Sequence, residues 1–113
     1  MLLESKENRG FYQLPLPNCD YVINREGVIV NETRGRALKP SRDGHGYRFI
    51  SLRVGFPKCY RTFKIHRLVA IMFVEKPNRH KDKNFAELQV NHKDGNKENN
   101  THLNLEWVTG EEN

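Results

Sequence analysis

Short apolar runs alternate with polar turns along this chain, and one stretch has helical periodicity. Tyr21-Val22-Ile23 and Val28-Ile29-Val30 flank Asn24-Arg25-Glu26-Gly27. That arrangement predicts a tight hairpin with Gly27 at positive φ. Ala37-Leu38-Lys39 predicts a short strand ended by Pro40. Two longer strands follow, Tyr47 to Val54 and Cys59 to Ile65, with Gly55-Phe56-Pro57-Lys58 turning between them. Ile50, Leu52 and Val54 share one face of the first, and Phe63 and Ile65 share one face of the second. His66 to Val74 reads as a helix, because Leu68, Val69, Ile71, Met72 and Phe73 give it a wide apolar face. Pro77 and the polar run to Lys83 end it. Leu88-Gln89-Val90 predicts a strand leading into Asn91-His92. Leu103, Leu105 and Trp107 alternate on a return strand, which turns Trp107 inward and Asn104 and Glu106 to the other side. Residues 1–18, with Pro15 and Pro17, read as an arm with little regular structure.

At 113 residues the chain is one small domain with a modest core, since 36% of residues are hydrophobic. No apolar run approaches the ~20 residues of a membrane span. The start of the chain is polar and charged after two leucines and shows no secretory signal. Cys19 and Cys59 form no C-x-x-C pair. A disulfide scaffold or a structural zinc site is therefore not expected, and a reducing cytoplasm is the default compartment. A zinc site built from His92, His102 and a cysteine fits no known ligand spacing.

Charge changes the picture more. Between Arg34 and Arg67 stand Arg34, Arg36, Lys39, Arg42, Arg48, Arg53, Lys58, Arg61, Lys64 and Arg67, with Asp43 the only acid. The formal net charge of the whole chain is +5, so the remainder is net acidic. A basic half on a small domain is an electrostatic footprint for a phosphate backbone. A solvated charged surface is the plainer reading, and the near-absence of acids in the stretch weighs against it.

The most specific segment runs Val-Asn-His-Lys-Asp-Gly-Asn-Lys-Glu-Asn-Asn-Thr-His-Leu-Asn-Leu-Glu-Trp-Val-Thr from Val90 to Thr109, then Gly-Glu-Glu-Asn to Asn113. His92, Asn104 and Asn113 stand in register, with the Asp94-Gly95-Asn96 turn and the Asn99-Asn100 pair between the first two. This string resembles the core of HNH endonucleases, most closely their bacteriophage homing-type branch. The preceding strands resemble the small β module of the phage enzymes. The resemblance implies an α+β fold: a basic antiparallel β module over residues 1–66, then a ββα-metal nuclease core over 67–113, together one compact unit. It implies double-stranded DNA as partner, one Mg²⁺ or Mn²⁺ ion as cofactor, and action as a monomer in the cytoplasm of a phage-infected bacterial cell. By the same resemblance His92 is the general base, Asn91 and Asn113 bind the metal, and Asn104 orients the histidine through a hydrogen bond.

Many members of the family carry aspartate where this chain has Asn91. With two neutral amides as protein ligands, affinity for metal without DNA is expected to be poor. Thr109-x-x-Glu112 is a capping-box pattern, so Asn113 is expected in the first turn of a short final helix, which another chain could complete. Asn96, Asn99 and Asn100 read most simply as turn residues. His66 reads as a cap or surface group and His102 as surface. A rival from another class is a DNA-binding or inhibitory protein that keeps the fold with weak or no cleavage. An RNA-binding domain is a more distant rival, because no stacked aromatic platform is evident.

Overall fold

The computed structural model describes residues 2–113. Four short strands form the first sheet in the order β1-β2-β3-β4. They are β1 (Tyr12–Gln13), β2 (Tyr21–Ile23), β3 (Ile29–Asn31) and β4 (Arg36–Ala37). The hairpin expected around Gly27 is present, with Gly27 at φ 87° and Ile23 opposite Ile29. Asn24 Oδ1 accepts from the backbone N–H groups of Glu26 and Val28, which closes the turn. The predicted strand near Ala37 starts earlier, at Arg36.

The expected unstructured arm is an ordered part of this sheet. Tyr12 lies opposite Ile23, and Glu4 forms a bridge with Tyr12. Leu14 is 1% exposed and belongs to the core. Prolines 15 and 17 follow this pairing and do not interrupt it. The interior gains an apolar side chain that period alone did not assign to a strand.

A second sheet of β5 (Ser41–Arg42), β6 (Arg48–Val54) and β7 (Cys59–Lys64) carries much of the basic segment. As the alternation predicts, Ile50, Leu52 and Val54 are buried. Their neighbours Ser51 and Arg53 are exposed, opposite Thr62 and Tyr60. Helix α1 (Ile65–Phe73) follows directly, so the 66/67 division falls within it. Ile65, Leu68, Val69 and Ala70 are buried, whereas Ile71 lies at the rim at 40% exposure. The final ribbon pairs β8 (Gln89–His92) with β9 (Leu105–Val108) antiparallel, Asn91 opposite Glu106 and Val90 opposite Trp107. No helix is long and apolar enough to cross a membrane among the described residues.

Trp107 packs inward, 1% exposed, and its indole Nε1 donates to the Val74 carbonyl at 3.0 Å. Leu103 departs from its expected inward position and is 74% exposed. A 3₁₀ turn over His102–Asn104 precedes β9, so the two-residue period starts only at Leu105.

Gly27 is where the first sheet meets α1. A Cβ there would lie 2.8 Å from Ile65 Cγ2, 3.3 Å from Val69 Cγ2 and 3.5 Å from Asn100 Cβ. We expect Gly27→Ala to destabilise the protein by about 1–3 kcal/mol through the clash and the left-handed backbone. Gly44→Ala, whose Cβ meets nothing within 4 Å, should be close to neutral. Urea unfolding of the two variants gives the comparison, and equal midpoints would remove Gly27 from the packing contact.

Candidate functional site

His92 ends β8 opposite Leu105 and is 6% exposed. Its Nε2 lies 2.7 Å from Asn100 Oδ1. An amide oxygen only accepts, so Nε2 carries the proton and the neutral ring keeps its lone pair on Nδ1. Burial and this bond fix the ring, and they present Nδ1 as the basic atom. Tyr47 stands 6.0 Å from the His92 ring centre and His66 5.1 Å from it.

The structure gives the bond to His92 to Asn100, not to Asn104. Asn104 is buried and works on the loop between the strands. Its Nδ2 donates to Asp94 Oδ1 and to the Asn99 carbonyl, and its Oδ1 accepts from the Asp94 backbone N–H. Asp94 also accepts from the Asn99 side chain and the Asn96 backbone N–H. These donors, the Asn99 amide foremost, hold its carboxyl below the usual range. Asn96 and Asn99 thus serve the turn as expected. Asn100 reads as turn chemistry in sequence but is a buried partner of His92. Only the closure of this loop brings it there, eight residues on.

On the other face of the ribbon Asn91 Nδ2 donates to Glu106 Oε2 at 2.8 Å. Asn91 Oδ1 accepts no hydrogen bond among the described residues. Gln89 lies on this face too, two residues back along β8. Its Oε1 accepts from Asn113 Nδ2 at 2.8 Å. Asn91 and Asn113 therefore flank Gln89 on one side of the strand, and the buried ring of His92 leaves from the other. The capping box forms: the Thr109 N–H donates to Glu112 Oε1 and the Glu112 N–H to Thr109 Oγ1. Glu112 is further held by His80 and Arg79. The Thr109 N–H first, then His80, brings its carboxyl down to about 2. The expected final helix is not formed among the described residues: Thr109 to Asn113 make a single hydrogen-bonded turn, the Asn113 N–H donating to the Thr109 carbonyl.

His66 is not a cap or a surface group. Lys64 occupies the N-cap position of α1. His66 is 7% exposed and stacks on Tyr47 at 4.9 Å with a 25° interplanar angle. Its Nδ1 is buried without a partner. Burial chiefly, then repulsion from His92 when it is protonated and from Lys64 and Arg67, pushes its pKa down to about 4. The sequence did hold a signal: His66, Val69 and Ala70 share one helical face at i, i+3 and i+4. His102 is half-buried, its N–H donating to the Arg25 carbonyl.

The ten basic residues divide by partner. Glu98 in the loop pairs with both Arg42 and Arg48, Asp20 with Lys58, and Asp43 with Lys64. Arg67 donates to the Leu88 and Phe85 carbonyls at 3.0 Å each and lies over the Trp107 ring, which makes it a structural tie. Arg34, Arg36, Lys39, Arg53 and Arg61 are exposed and form no ion pair among the described residues. The first four of these line a groove of about 480 Å³ between the two sheets, with Lys58 and Tyr60.

No family model matches the chain. It is 36% identical over 110 residues to the uncharacterised HNH endonuclease L245 of Acanthamoeba polyphaga mimivirus, covering 96% of this chain and 30% of that one. It is 40% identical over 90 residues to the DNA endonuclease I-HmuI of Bacillus phage SP01, covering 79% of this chain and 46% of that one. A solved structure of DNA binding and cleavage by the HNH homing endonuclease I-HmuI superposes with a TM-score of 0.68 at 32% identity. That match covers 98% of this chain and 53% of the other. The chain spans less than half the length of these curated relatives.

His66 has a consequence for stability. Its ordinary pKa of 6.5 falls to about 4 in the fold, so below 6.5 the unfolded chain takes up a proton that the folded chain refuses. Stability is therefore lost as pH falls from 6.5 toward 4, with a slope from this group of up to about 1.4 kcal/mol per pH unit. His66→Phe, which keeps the stack on Tyr47, should flatten that loss. Urea midpoints of parent and variant across the window measure it, and parallel profiles would show that His66 is not the group responsible.

Proposed function

Because the chain belongs to the HNH endonuclease family, in its phage homing-type branch, we propose that it hydrolyses phosphodiester bonds of double-stranded DNA with one bound divalent ion. The observation that carries this reading is the hydrogen bond that His92 Nε2–H donates to Asn100 Oδ1, which favours the tautomer with its lone pair on Nδ1. In the mechanism His92 Nδ1 accepts a proton from the attacking water. Asn100 holds the ring, and Asn104 acts one step away by fixing the loop that delivers Asn100.

The donor set on the opposite face fits a hard cation. Asn91 turns its N–H toward Glu106 and keeps Oδ1 for a ligand, and Asn113 lies on the same face. Oxygen donors of this kind suit Mg²⁺ or Mn²⁺. When bound, such an ion supplies positive charge for the reacting phosphate and the leaving oxygen. One core contains one histidine base, which supports nicking of a single strand by a monomer. Arg34, Arg36, Lys39, Arg53 and Arg61 would hold the backbone. The viral sources of the relatives support action inside an infected cell.

His92→Ala is expected to slow plasmid nicking by ~10²–10⁴-fold. Its affinity for duplex in a gel shift should stay close to that of the parent, because no phosphate contact is lost. A variant that nicks at the parent rate would exclude His92 as the base. A parent that binds duplex yet never nicks with Mg²⁺ or Mn²⁺ would favour the binding-protein reading.

Five unpaired basic residues also set a salt dependence. If they each meet one phosphate, log K for duplex against log salt should have a slope of about −4 to −5. A nearly flat line from a salt titration would remove these residues from the interface.

A further inference from the structure

Glu106 is half-buried and stands directly opposite Asn91 in the ribbon. It accepts one hydrogen bond, from the Asn91 amide. No lysine, arginine or histidine forms an ion pair with it among the described residues, although Lys93 and Arg79 line the same shallow groove of about 190 Å³. Arg79 is engaged by Glu112. A carboxylate has about four acceptor positions, and one neutral N–H fills one of them. The remaining positions are left for solvent or a cation on the face shared with Asn91. Glu106 sits beside the amide oxygen that the family resemblance assigns to a metal ion.

We propose that Glu106 is an additional ligand-bearing residue of the metal site and supplies the negative charge that Asn91 lacks. The negative charge stands at position 106 of β9, directly across the strand pair from position 91 of β8 and on the same face. The inference rests on the metal-dependent reading of the site, and it reverses one expectation from sequence. With a carboxylate beside the amides, the protein binds Mn²⁺ measurably without DNA.

The test is Mn²⁺ binding to the DNA-free protein, followed by loss of the free-ion EPR signal, with plasmid nicking by the same samples measured separately. Glu106→Gln keeps the shape and the hydrogen-bonding reach but removes the charge, and should weaken Mn²⁺ binding about tenfold or more. The double variant Asn91→Asp/Glu106→Gln returns the charge to β8 and should recover most of the parent affinity. That recovery distinguishes lost charge from a damaged fold. The proposal is overturned if Glu106→Gln binds Mn²⁺ as the parent does, if the double variant stays as weak as Glu106→Gln, or if the DNA-free parent binds no Mn²⁺. A parent that binds Mn²⁺ through Glu106 yet does not nick would uphold the site and overturn the nuclease reading. A nicking parent whose Mn²⁺ affinity ignores Glu106 would do the reverse.

Discussion

Helix α1 is hydrogen-bonded to the C-terminal ribbon near both of its ends. Arg67, in its first turn, donates to the Phe85 and Leu88 carbonyls just before β8. The Val74 carbonyl, at its C-cap, accepts from the Trp107 indole in β9. Between these ties the buried Leu68, Val69 and Ala70 share one core with Leu105, Trp107, Ile23 and Ile29. Buried backbone carbonyls need partners, and burying a large aromatic side chain such as Trp107 is worth a few kcal/mol. The helix therefore fixes β8 against the basic sheets. His66 belongs to the same seat, because its position on the helix carries it to Tyr47 and His92.

The ribbon uses its two faces differently. The face toward α1 holds the imidazole of His92 largely buried and fixed, with Asn100 reaching it from the loop. The other face carries Asn91 and Glu106, half-buried, and Gln89 and Asn113, exposed, all oxygen-bearing. In the reaction we propose, the first face would supply a base of defined tautomer and the second oxygen donors for a hard cation. The two-residue period of a strand places adjacent residues on opposite faces. The loop between the strands adds a third part. Asn104 and Asp94 lock it internally, while Glu98 fastens it to Arg42 and Arg48 on the second sheet.

That fastening couples the basic module to the site. The acids at positions 98, 20 and 43 neutralise Arg42, Arg48, Lys58 and Lys64 in the folded chain. Arg67 is used up inside. The basic stretch thus divides into five residues with partners inside the protein and five that form no ion pair among the described residues. Glu98 is an exposed acid that links the loop to two arginines, and they lower its carboxyl below the ordinary range.

The sequence by itself determined the elements whose signals are local. The hairpin at Gly27, the alternation of Ile50, Leu52 and Val54, the inward Trp107 and the capping box at Thr109 and Glu112 each depend on neighbours a few residues away. The motif spacing singled out His92 as the candidate centre. Tertiary structure decided what depends on closure and register. The arm became strand β1 because β2 offered it an edge. Leu103 turned outward because a 3₁₀ turn reset the period before β9. Asn100 reached His92, and Asn104 was withdrawn to Asp94, because the loop folds back over the strand end. Glu106 met Asn91 only through the antiparallel pairing of β8 with β9. A side chain's partner across a loop or a ladder is fixed by chain closure and packing. Residue order along the chain does not encode that contact on its own.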